Sequence, residues 1–133
     1  MDEDRLTPQM GRLIDRAKAA ALSATSPHAR AEGVALLACD GSVYSGYPGE
    51  DPELPQACAA ETALAFARRA GRTDIVAAAV AVANDPAQTL FPSDGSCEVL
   101  AGIDKDLPLV VKHRGRWVLL LLSELRSRSR GAR

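Results

Sequence analysis

The chain has 133 residues, of which 47% are hydrophobic and 25% charged, enough apolar side chain for the core of one domain and too little charge bias for a disordered chain. A net charge of -1 and 4% aromatic residues offer neither the basic groove nor the stacking platform of a nucleic-acid binder, so no nucleic-acid partner is expected. Met1-Asp2-Glu3-Asp4-Arg5 is acidic and no apolar run reaches the roughly 18 residues of a membrane span. The expectation is therefore a cytoplasmic protein with no membrane partner. Three widely spaced cysteines, Cys39, Cys58 and Cys97, fit reduced thiols better than a disulfide framework, and Cys39 reads as a small buried apolar residue.

Leu6, Met10, Leu13, Ile14, Ala17 and Ala21 recur at three- and four-residue steps behind Thr7 as N-cap and Pro8 at the first helical position. This predicts an amphipathic helix closed by Ser26-Pro27. Gly33 to Cys39 is a short apolar run, Asp40-Gly41 is a hairpin signal, and Ser42 to Gly46 returns as a second strand. Tyr47 to Gln56, with Pro48, Gly49, Pro52 and Pro55, reads as an ordered loop. The alanine-rich Ala57 to Ala70 predicts a buried helix ending at Gly71, and Ile75 to Ala83 predicts a central strand covered on both faces.

Asn84-Asp85-Pro86 ends that strand, and a short helix is expected near Ser96 to Ala101. Pro108 to Lys112 and Trp117 to Leu121 flank His113-Arg114-Gly115-Arg116 as a hairpin or short crossover, and Ser123-Glu124-Leu125 opens a last helix. The pattern describes a single domain over residues 1–125, a mixed sheet with helices packed on its faces, followed by a basic, fraying tail at 126–133. His28 and His113 read as turn or surface histidines.

Two segments carry candidate chemistry: Cys58-Ala59-Ala60-Glu61-Thr62-Ala63 at a helix start, and Ser93-Asp94-Gly95-Ser96-Cys97-Glu98-Val99-Leu100 one strand later. With Gly33-Val34-Ala35-Leu36-Leu37, Asp40-Gly41 and Tyr44-Ser45-Gly46, they resemble the small homotetrameric cytidine deaminase family from about Leu13 to Leu125. That resemblance implies an α/β three-layer fold with a central mixed five-stranded sheet, and a homo-oligomer, dimer or tetramer. The family carries a helix-borne [His/Cys]-x-Glu and then Pro-Cys-x-x-Cys, whose three ligands hold a zinc that makes hydroxide while the glutamate moves protons.

Carried over without a gap from Gly46, the resemblance gives Glu50 as the ligand-binding acid toward a sugar, Glu61 as the catalytic proton shuttle and Ala59 at the first metal position. Counted back from Cys97, the second cysteine position holds Asp94. A metal set of Cys97, Asp94 and Cys58 is the form that a retained zinc would take, although a one-residue shift turns a helical side chain by about 100°. Pro48 stands where the family has a ribose-binding asparagine, Arg30, Ala31 and Glu32 supply no stacking aromatic before Gly33, and arginines and serines replace an aromatic lid after Leu125. The residue-level alternatives are a first-turn acid at Glu61, an N-capping Asp94, two buried thiols or a Cys58–Cys97 redox pair, and a weak anion cradle at Ser93 to Ser96.

Two functions follow. One is a protein with this fold, without zinc or deamination, that serves as a nucleoside-like small-molecule binder or an oligomeric interaction module. The alternative is a divergent zinc hydrolase that deaminates a pyrimidine nucleoside or related amino-heterocycle.

Overall fold

The computed structural model describes residues 7–24, 31–84 and 92–125; His28, Ser26-Pro27, Asp85-Pro86 and the 126–133 tail lie outside them. The elements in order are α1 (Pro8–Ser23), β1 (Glu32–Ala38), β2 (Val43–Gly46), α2 (Ala59–Arg69), β3 (Ile75–Val82), α3 (Asp94–Ile103), β4 (Pro108–His113) and β5 (Arg116–Leu121). A helical turn follows over residues 122–125. The strands form one five-stranded sheet in the order β2-β1-β3-β4-β5, antiparallel except for the parallel β3–β4 pair. The mixed character comes from α3, which carries the chain from the end of β3 back to the start of β4.

Period-two alternation splits the sheet residues between two cores. Ala35, Leu37, Ala77, Ala79 and Val110 pack with Leu13, Ile14, Ala17 and Ala21 of α1. Val34, Leu36, Ala78, Val80, Leu109 and Val111 pack on the other face with Ala59, Ala60, Ala63 and Ala67 of α2 and Leu100 of α3. The expected three-layer fold is the one observed. Ile75 to Val82 contributes to both cores, as a central strand should.

Small residues set how closely the layers approach. A methyl group on Gly33 would lie 2.3 Å from the Ala17 carbonyl oxygen and 2.4 Å from the Ala21 nitrogen, so α1 rests directly on the β1 backbone. A methyl group on Gly46 would meet the Ala63 nitrogen at 2.7 Å, which seats α2 against β2 in the same way.

Local chemistry accounts for the boundaries. Thr7 Oγ1 accepts from the Met10 amide at 3.2 Å, with proline at the start of α1. The β4–β5 connection is a hairpin, with Arg114 at φ 52° and Gly115 at φ 81°, the left-handed pair that a two-residue turn requires. The expected Ser96 to Ala101 helix is longer and begins at Asp94 because Ser93 caps it; the Ser93 Oγ accepts from the Ser96 amide at 3.3 Å. Cys39 corrects its expectation: it is exposed, because it falls in the β1–β2 turn beyond the last buried strand residue, Ala38. Among the described residues, no helix is long and apolar enough to cross a membrane.

Candidate functional site

The starts of α2 and α3 meet at the end of the sheet where β1 begins. Cys58 is the N-cap of α2 and offers its helix no side-chain hydrogen bond. Gly95, in the first turn of α3, packs on it; a methyl group there would stand 3.4 Å from Cys58 Cβ and 3.6 Å from Cys58 Sγ. These are ordinary contact distances, and they place the two helix starts side by side. Both termini bring partial positive charge and first-turn amides that lack intrahelical acceptors to this place.

The group that answers them is Glu32, the first residue of β1, whose side chain is only 2% exposed. Its carboxylate accepts from the Ser93 amide at 2.8 Å, the Ser93 hydroxyl at 3.0 Å and the Ser96 hydroxyl at 2.7 Å. Ser96, itself fully buried, also accepts from the Ala60 amide in the first turn of α2 at 3.3 Å. An α2 amide, a serine hydroxyl, a buried carboxylate and the α3 cap thus form one chain of hydrogen bonds across three elements. Burying a carboxylate is tolerated only when such donors surround it.

Beyond β2, the loop of residues 47–57 is ordered by its own polar groups. Glu50 Oε1 accepts from the Tyr47 amide at 3.2 Å, and the Gly49 amide donates to the Ala57 carbonyl at 3.1 Å. Asp51, 2% exposed, accepts from the Glu53 amide at 3.0 Å and pairs with Arg69 of α2, which also reaches Glu53 at 3.1 Å. The Glu53 amide first, and the Arg69 guanidinium after it, hold the Asp51 carboxyl below the ordinary aspartate range against the opposing effect of burial. Glu50 is partly exposed, and its carboxylate is turned onto the backbone of its own loop.

The other expected site residues are distributed unevenly. Cys58 is at the convergence. Glu61, although in the first turn of α2, is exposed and lines an outer groove of about 440 Å³ with Arg68 and Glu98. Asp94 is exposed in the first turn of α3, and the cap that it was expected to form is made by Ser93 instead. Cys97 is half-buried, and its thiol donates to the Pro92 carbonyl at 3.8 Å. Among the described residues, no three His, Cys, Asp or Glu side chains gather into a group able to hold a metal ion, so Cys58, Asp94 and Cys97 are not assembled as a ligand set.

The residues that do meet, Glu32, Ser93, Ser96 and the backbone of Ala60, were not singled out as site residues in the sequence. A signal was available: Pro92 is followed directly by Ser93 and, three residues on, by Ser96, the spacing of Pro-Cys-x-x-Cys with oxygen in place of sulfur. The zinc that the resemblance implies does not fit this cluster. Neutral serine hydroxyls are not among the thiolate, imidazole and carboxylate ligands that zinc takes, and both hydroxyls here already donate to Glu32.

No protein-family model matches the chain, and no curated protein matches it. Among solved structures, a cytidine deaminase from Burkholderia pseudomallei superposes with a TM-score of 0.67 at 27% identity, covering 90% of this chain and 96% of that one. The cytidine deaminase of Mycobacterium tuberculosis gives a TM-score of 0.62 at 22% identity over 86% of this chain and 91% of its own. That of Mycobacterium leprae gives 0.59 at 17% over 86% and 94%. The match thus runs nearly the whole length of both partners, and the chain has the fold of the cytidine deaminases.

Proposed function

We propose that this chain does not perform zinc-dependent deamination and acts as a binding or oligomeric interaction module that keeps the deaminase fold. The observation that carries the reading is the Glu32 carboxylate held by Ser93 and Ser96 between the starts of α2 and α3. Counted from the residues that meet there, [His/Cys]-x-Glu reads Cys58-Ala59-Ala60 and Pro-Cys-x-x-Cys reads Pro92-Ser93-Asp94-Gly95-Ser96. On this count one thiol remains of three metal ligands, and a methyl group stands where a proton carrier is required. The ungapped count from Glu50, which gave the catalytic role to Glu61, is then late by one residue at the start of α2.

A protein without hydroxide-generating metal and without an acid at Ala60 lacks both nucleophile and proton shuttle. What it retains is a three-layer scaffold with an ordered 47–57 loop beside α2, suited to hold a neutral nucleoside-like molecule, and exposed Leu22, Val76 and Leu121 that suit contact with another copy. Those apolar residues suit a dimer or tetramer, and the reduced thiols of Cys39, Cys58 and Cys97 suit a reducing compartment such as the cytoplasm.

The test combines a thermal-shift screen against nucleosides, nucleobases and nucleotides, an ammonia-release assay with and without added zinc, and light scattering for mass. Stabilisation without ammonia supports the binding arm, and a stable oligomer that ignores every compound supports the interaction arm. Ammonia release that is lost in Glu61→Gln would restore the hydrolase alternative, and a monomer that binds nothing would remove both arms.

A further inference from the structure

We propose that Glu32 is a resident counter-ion that replaces a metal as the lock between the two helix starts, so that the fold carries its own anion where a metal cluster would sit. Every other residue of β1 is apolar, and the whole strand is buried. A carboxylate in such a place is costly to desolvate, and it persists because something specific needs its charge. That need is visible at the two helix starts: the amide of the α3 cap, Ser93, donates to Glu32 directly, and the Ala60 amide of α2 reaches it through the Ser96 hydroxyl.

Two helix starts aimed at one point bring together partial positive charges and amides without acceptors. A zinc ion bound by three thiolates would meet them with one net negative charge. A single carboxylate supplies the same charge. The hydroxyls of Ser93 and Ser96 provide the donors that a carboxylate requires and a metal would not accept. Ser96 joins the second helix to the arrangement, because its oxygen takes the Ala60 amide while its proton goes to Glu32. The exchange is therefore concerted: serines at the former thiolate positions make sense only with an acid opposite them, and the acid only with the serines.

Two consequences follow: the chain folds without metal, and the helix-start site is closed to external anions because it already contains one. The inference shares with the proposed function the premise that no metal is held here. It fails separately, because its readouts are stability and metal uptake rather than nucleoside binding or turnover.

The experiment uses the full chain and compares unfolding midpoints with EDTA and with zinc, alongside zinc content after dialysis, for wild type, Glu32→Gln and the triple variant Glu32→Ala/Ser93→Cys/Ser96→Cys. Wild type is expected to show the same midpoint in EDTA and zinc and to retain no metal. Glu32→Gln, which keeps the shape and removes the charge, is expected to melt lower by more than about 5 °C. The triple variant presents three thiols with Cys58 and is expected to retain zinc and to become chelator-sensitive. The proposal is overturned by a Glu32→Gln protein that melts with wild type, by wild type that retains zinc, or by a folded triple variant that does not. If the triple variant fails to fold even with zinc, the other two proteins decide.

Discussion

Ser96→Ala isolates the hydrogen-bond chain at the helix starts. The Ser96 hydroxyl is fully buried, donates to Glu32 at 2.7 Å and accepts from the Ala60 amide at 3.3 Å. Losing a hydrogen bond to a charged acceptor costs about 1.5–3 kcal/mol, and leaving a buried amide without an acceptor costs about 1–3 kcal/mol more. Ala60 has no intrahelical acceptor, since it lies in the first turn of α2. The expected loss is therefore about 2.5–6 kcal/mol, a large part of the roughly 5–15 kcal/mol that holds a domain of this kind together. With a urea slope of about 2 kcal/mol/M, the unfolding midpoint falls by about 1.3–3 M.

Ser93→Ala is the internal comparison. Ser93 also bonds Glu32 and caps α3, but it is only half-buried, so water replaces part of what is lost. A lost cap costs about 1 kcal/mol, and the total is expected near about 1–2 kcal/mol. Urea titrations followed by circular dichroism give both numbers. A Ser96→Ala loss under about 1 kcal/mol, or a Ser93→Ala loss larger than it, would refute the claim that a buried network ties the helices to β1.

Gly33→Ala should destabilise by at least about 3 kcal/mol, at or beyond the upper end for an added methylene, because the clash is with the α1 backbone at 2.3 and 2.4 Å rather than with a side chain that can turn away; thermal melting checks this. The depressed Asp51 carboxyl stabilises the 47–57 loop above the ordinary aspartate value of 3.8, and this is lost as pH falls through the lower folded value. The Glu53 amide resonance is therefore expected to titrate with a midpoint below 3.8, and a midpoint at or above that value counts against the Asp51 contacts. Glu61→Gln, on an exposed first-turn acid, should cost no more than about 1 kcal/mol in the same urea titration, the worth of a carboxylate at a helix start. A larger loss would give Glu61 a role that its position does not.

Periodicity and turn chemistry carried most of the fold. Thr7-Pro8, Asp40-Gly41, the alanine run before Gly71 and the Val/Ala run from Ile75 each report a local preference that the tertiary structure honours. The order of the elements, with the similarity spanning the chain, was enough to expect a mixed five-stranded sheet between helical layers. Cys39 failed because an apolar run does not say at which residue the strand leaves the core.

The site was decided by tertiary structure. Glu32 reads in sequence as a polar residue before a strand, and it is separated by 61 and 64 residues from the serines whose protons it accepts. Motif spacing points to Glu61, Asp94 and Cys97, since acids and thiols are the residue types with catalytic and metal chemistry. A helix advances about 100° per residue, so an error of one position turns a side chain from the meeting point to the outer groove, and spacing along the chain cannot detect it. Only the packing of Gly95 on Cys58 and the direction of the two helix starts show which residues face one another, because a buried charge is placed by the donors that surround it rather than by its neighbours in sequence.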